Sequence, residues 1–128
     1  MDIFNNAKKL GFGLMRLPSL DPNDPSKIDM DLTKKMVDSF MEQGFTYFDT
    51  AWMYCGFASE NTAKEVLVDR YPRDSFTLAT KLHSGFINTK EDRDKIVAEL
   101  DAKRVDLGTR QRLIGEILLR RTGHKVHA

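Results

Sequence analysis

The chain has one cysteine, Cys55. Without a second thiol there is no internal disulfide, and a cysteine-built zinc or iron–sulfur centre has too few ligands. That scarcity fits a reducing compartment, so the expected location is the cytoplasm. Long apolar runs are missing as well, and no segment is expected to span or anchor in a membrane. The opening "MDIFNNAKKLGF" lacks the basic-then-apolar order of a signal peptide. Neither sign of charge dominates: 20 basic against 19 acidic residues leave a net of +1, which gives no electrostatic reason to expect nucleic acid as a partner. Glycine-rich linkers, low-complexity tracts and internal repeats do not occur. What remains, at 128 residues, is one domain's worth of ordinary globular sequence.

The pattern that is present alternates two periods. "LGFGLMRLP" reads as a short strand that stops at Pro18, followed by "SLDPNDPSKIDMD", a surface connection with two Asp/Pro clusters. From Asp31 to Gln43 the apolar positions Leu32, Met36, Val37, Phe40 and Met41 recur at helical spacing, and Gly44 stands where a helix end favours a left-handed residue. "FTYFDTA" is rich in aromatic and β-branched residues and reads as the second strand. "SENTAKEVLVDRY" is the next helix, with Ser59 as N-cap and Pro72 beyond its end. "SFTLATKL" follows as a third strand, and "NTKEDRDKIVAELDAKRV" as a third helix, capped by Asn88 or Thr89, with Ile96, Val97 and Leu100 on one face. Strand and helix alternating at these lengths predict a parallel sheet covered by helices, an α/β fold of about three βα units.

In such a fold, functional groups collect at the C-terminal ends of the strands. The second strand delivers Asp49, with Tyr54 five residues on, and the third delivers Lys81. If the two strands are neighbours, the carboxylate and the ammonium emerge side by side and the tyrosine can fold back over them. A tyrosine ordinarily titrates near pH 10, too high for efficient proton exchange at neutrality. A nearby ammonium stabilises the phenolate, and a carboxylate holds that ammonium in place and charged. A phenol set up in this way can protonate a carbonyl oxygen while a cofactor supplies hydride to the carbon. Each residue also has a plainer reading: a helix-capping or solvated aspartate, a surface lysine, a half-buried loop aromatic.

The same residues carry a family likeness. "GFTYFDTAWMYCGFASE" resembles the aldo-keto reductase signature, and "LGFGLMRLP" and "FTLATKL" resemble that family's first strand and its lysine-bearing strand. The likeness, to bacterial members of the family, runs from about Leu10 to about Ala98. It implies a (β/α)8 barrel, of which these would be the first three βα units, using NADPH to reduce an aldehyde or ketone. By the same resemblance Tyr54 is the proton donor, Lys81 its partner and Asp49 the lysine's counter-ion, while Met15, Arg16 and Asp49 lie beside the cofactor.

The chain also departs from that pattern. The resemblance implies a further catalytic histidine some thirty residues past the lysine, and "RQRLIG" around Arg110 to Gly115 contains none. His83 follows Lys81 too closely for that role, and His124 and His127 sit in the tail. Residues 103–128 hold seven basic side chains against Asp106 and Glu116, whereas the preceding residues are net acidic. This segment reads as a basic, partly helical tail unlike the family, and residues 1–102 as the barrel's N-terminal portion. A whole barrel takes about 250 residues, so the sequence is expected to be truncated, with an open sheet edge suited to self-association. Two other readings stay open: a non-catalytic fragment of such an enzyme, and a binding module that uses the tail.

Overall fold

The computed structural model of the chain describes residues 8–82 and 84–107. Strands β1 (Gly11–Gly13), β2 (Tyr47–Asp49) and β3 (Thr77–Ala79) form one parallel sheet in the order β1-β2-β3. Gly13 stands opposite Asp49, and Asp49 opposite Ala79, so the three strand ends are level. Helix α1 (Met30–Glu42) lies between β1 and β2; the turn α2 (Tyr54–Phe57), which is not helical at Cys55 and Gly56, and α3 (Ser59–Ala63) with a π-helical continuation over Lys64–Val68 lie between β2 and β3; α4 (Lys90–Leu107) follows β3. The strand–helix alternation expected from the two periods is thus present, with strands shorter than the apolar runs that announce them.

The local causes can be named. Asp29 caps α1 by accepting a hydrogen bond from the Leu32 N–H at 3.0 Å, and Gly44 ends it at φ +81, its N–H donating to the Met41 carbonyl at 2.9 Å. The helix is rolled slightly from the face its apolar residues suggest. Thr33, Val37 and Phe40 are buried, while Leu32 and Met36 are exposed. Thr33 can be buried because its hydroxyl donates to the Asp29 carbonyl one turn back at 2.7 Å. In α4, Thr89 is the cap: its Oγ1 accepts from the Asp92 N–H, and the Asp92 carboxylate accepts from the N–H groups of Asn88 and Thr89. Ser59, expected as a cap, is not one; Ala58 precedes α3, and the Ser59 side chain is used elsewhere.

Phe12, Phe40, Phe48 and Phe76 stack through the space between sheet and helices, with ring centroids 5.1–6.3 Å apart along the chain of contacts. Leu14, Val37, Ala63, Val66 and Leu67 complete this core. A second, smaller cluster of Leu82, Ile87 and Ile96 lies under α4, with Trp52 and Val97 packed against it. One polar clamp ties α1 to the segment after the π turn. Asp38 accepts hydrogen bonds from the Tyr71 hydroxyl and, at 2.7 Å, from Arg70. Burial and that bond push the Tyr71 phenol up to about 12.

Helix α4 runs without a break across residues 102 and 103, where the change in charge begins. The rest of the tail, His83, His124 and His127 lie outside the described residues, as does the Leu100 side chain. Among the described residues no helix is long and apolar enough to cross a membrane, and no cluster of His, Cys, Asp or Glu could hold a metal ion.

Candidate active site

A strand sends alternate side chains to opposite faces. In β2 this puts Phe48 and Thr50 toward the helices, fully buried, and leaves Tyr47 and Asp49 on the other face, half-buried. In β3 it sends Leu78 and Thr80 to the helices and Ala79 and Lys81 to the face that Asp49 shares. The ladder continues past the formal strand ends, since the N–H of Thr50 donates to the Ala79 carbonyl at 2.8 Å and that of Trp52 to the Lys81 carbonyl at 3.0 Å. Asp49 and Lys81 are therefore neighbours on one rim because of register alone.

They meet. The Lys81 ammonium donates to both Asp49 carboxylate oxygens, at 2.8 and 3.1 Å, and to the Thr50 carbonyl at 3.0 Å. The same nitrogen lies 4.8 Å from the centroid of the Tyr54 ring. Burial alone would lower the Lys81 pKa, but the hydrogen bond to Asp49 and the interaction with the Tyr54 phenol outweigh it, and the net direction is upward. The lysine is held charged. Both side chains keep about two-fifths of their surface in solvent, so the pair contributes little to stability, on the order of 0–1 kcal/mol.

Behind the rim is a buried polar layer. The Thr50 and Ser59 hydroxyls are 2.7 Å apart, and Ser59 donates onward to the Leu14 carbonyl at 2.9 Å. Thr80 donates to the carboxylate of Glu60 at 2.6 Å, with Glu60 only 1% exposed. These bonds fasten the start of α3 to the ends of all three strands. After Tyr54 the backbone turns left-handed at three successive residues: Cys55 at φ 54, Gly56 at φ 59 and Phe57 at φ 69. Only glycine adopts this freely; each of the other two costs on the order of 1–2 kcal/mol. Cys55 is held there by its buried thiol, which lies 3.5 Å from the Leu14 carbonyl oxygen and 3.4 Å from that of Met15.

Compared with known protein families, residues 9–113 match the aldo/keto reductase family. That is most of the chain. It belongs to the aldo/keto reductase family. The family fold is a (β/α)8 barrel, and the parallel sheet with its helices is a part of it. The match extends beyond the stretch from Leu10 to Ala98 in which the sequence motifs are evident. No curated protein matches the chain.

In this aldo/keto reductase chain the structure brings Asp49, Lys81 and Tyr54 together. Met15 and Arg16 are both exposed and follow β1 at the same end of the sheet, two and three residues past Gly13, the register partner of Asp49. At Gly13 itself there is room: a side-chain carbon built there would meet nothing within 4 Å. The sequence reading missed Thr50, Ser59, Glu60 and Thr80. Their signal was available, because a threonine at a helix-facing strand position must find a buried partner, and "SE" opens the helix that supplies one.

Proposed function

We propose that the chain carries the proton-donating half of an NADPH-dependent carbonyl reductase site, with an aldehyde or ketone as substrate. The observation that supports this best is the Lys81 ammonium, fixed by Asp49 at 2.8 Å and placed over the Tyr54 ring. The described residues fit the nicotinamide end of such a cofactor. There is room beside Gly13, which stands opposite Asp49, and Met15 and Arg16 follow it in the chain at the same end of the sheet. These residues would hold the cofactor, which when bound supplies hydride to the carbonyl carbon.

The chain's own residues manage the proton. Tyr54 donates its O–H to the carbonyl oxygen and releases the proton to it as that oxygen gains charge, leaving an alcohol and a phenolate. Lys81 stabilises the phenolate across the short gap to the ring. Asp49 keeps Lys81 charged and prevents it from swinging out to solvent. A proton from water then restores the tyrosine.

The test is Tyr54→Phe, assayed by NADPH oxidation with a panel of aldehydes and ketones. Loss of the acid should lower kcat about 10²- to 10⁴-fold, with the circular dichroism spectrum unchanged. Turnover at the wild-type rate would remove Tyr54 from the role.

A further inference from the structure

The connection from β1 to α1 is a loop closed on itself. Ser19 and Ile28 form an isolated antiparallel bridge, and the Leu20 N–H donates to the Lys27 carbonyl at 2.8 Å. Between this loop and α3 with its π-helical continuation lies a cavity of about 460 Å³, within the roughly 300–1,000 Å³ range of small-molecule sites. The proton chemistry does not use it. Leu20, Ile28, Met30 and Ala58 give it an apolar lining. Leu20 is 72% exposed, so an occupant would take wet apolar surface out of water.

The polar groups around that lining are unequally engaged. The Lys27 ammonium donates to the Asp21 carboxylate at 3.1 Å and lies 3.9 Å from that of Asp24. The Ser26 hydroxyl donates to Asp24 at 2.6 Å, and the Thr62 hydroxyl to the Ala58 carbonyl at 2.9 Å. Two lining groups have no such use. Among the described residues nothing bonds to or pairs with the Glu65 carboxylate or the Asn61 side-chain amide. The cation of the lining is thus already neutralised, and its acid is left over. A carboxylate only accepts, so its complement is a charged donor.

We propose that this cavity binds a small organic ammonium ion with an apolar body, its charge at Glu65 and its hydrocarbon on Leu20, Ile28, Met30 and Ala58. One contact links the site to the proton donor. A side-chain carbon built on Gly56 would come within 3.3 Å of the Ser26 Cβ, so the loop that walls the cavity lies against the left-handed turn directly after Tyr54. An occupant fixes the loop against α3, and with it the turn that holds Tyr54. Carbonyl reduction is then faster when the cavity is filled, because the acid is better placed. That modulation rests on the reductase reading above, whereas the binding site does not.

The experiment separates the two. The isotope-labelled full chain is titrated in NMR with cyclohexylammonium, which has no carbonyl to reduce, and with cyclohexanecarboxylate, similar in size and opposite in charge. Amide shifts should saturate with the ammonium, centred on residues 26–28 and 58–65 and extending to 55–57, with a Kd on the order of 1 mM for so small a ligand. The carboxylate should cause none. Glu65→Gln should weaken binding about fivefold and Leu20→Ser about threefold, and the fold should be unchanged because both side chains are exposed. Absence of saturable shifts, saturation centred elsewhere, or equal binding by the carboxylate or by Glu65→Gln would overturn the site. Saturable shifts that stop short of 55–57 would overturn the modulation. In assays with NADPH and an aliphatic ketone, saturating cyclohexylammonium should raise kcat about fivefold, and an unchanged kcat in an active chain would also overturn the modulation. Saturable binding without turnover of any ketone would support the site and count against the reductase reading.

Discussion

Thr80→Val removes one hydroxyl from beneath the site and changes little in shape. Thr80 is 6% exposed, and its hydroxyl donates at 2.6 Å to the carboxylate of Glu60, a residue 1% exposed. A hydrogen bond to a charged group contributes about 1.5–3 kcal/mol net, and water has little access to replace this one. A loss of about 2 kcal/mol is expected. For a chain of this size that corresponds to a fall in thermal midpoint of roughly 6–12 °C. The assay is urea unfolding followed by far-ultraviolet circular dichroism and, independently, by tryptophan emission. Thr80→Ser keeps the donor and should lose less than about 1 kcal/mol, most of it from the missing methyl group. Combining Thr80→Val with Glu60→Gln should give a coupling energy of about 1–2 kcal/mol, since the two groups are in direct contact. If Thr80→Val unfolds within about 0.5 kcal/mol of wild type, the buried polar layer is not what fastens α3 to the sheet.

Asp49→Asn should alter stability by no more than about 1 kcal/mol, because the ion pair is open to solvent. It should also lower the Lys81 pKa, moving the alkaline limb of the rate profile to lower pH; an unmoved limb would separate Lys81 from that step. Tyr71 has a folded pKa raised to about 12, first by burial and then by its bond to Asp38, so its contribution to stability is complete below the ordinary tyrosine value near 10. It is lost as pH rises from about 10 toward 12, and Tyr71→Phe should flatten that part of the stability curve. Asp38 is held below its usual range by hydrogen bonds from Arg70 and Tyr71, so its contribution is present above about pH 4 and fades below it. Gly44→Ala places a side chain at φ +81 and should destabilise by about 1 kcal/mol or more, read from the midpoint of urea unfolding.

Much of this structure was legible in the residues. Gly44 after a run of helical spacing, and the aromatic, β-branched "FTYFD", fixed the placement of α1 and β2 to within a residue or two. Their positions at the C-terminal ends of two strands were enough to put Asp49 and Lys81 on one rim once the strands were taken as neighbours, while the shared face needed the register of Asp49 with Ala79. The roll of α1 was less accessible, since Leu32 and Met36 look like core and Thr33 does not until its bond to the Asp29 carbonyl is seen. The left-handed turn was hidden for a different reason. Gly56 alone announces such a backbone, and nothing in Cys55 or Phe57 says that they will share it. Likewise "KEVLV" has no feature that distinguishes a π turn from an α turn; its Val66 and Leu67 are buried in the core as either winding would allow.

The alternation at the strand ends has a consequence for how this sequence can change over time. Residues 48–50 and 78–81 interleave two jobs, the Asp49–Lys81 ion pair on one face and buried hydroxyls on the other. A substitution can disturb one job and spare the other. Gaining or losing a single residue cannot, because a shift of one position turns Asp49 and Lys81 into the helix layer and Thr50 and Thr80 out of it. Changes of length should therefore be nearly absent there and gather in the connection from Ser19 to Ile28, which is closed by one isolated bridge and its own turns. The spacing between Asp49, Lys81 and the buried threonines is constrained more tightly than the identity of most of their neighbours.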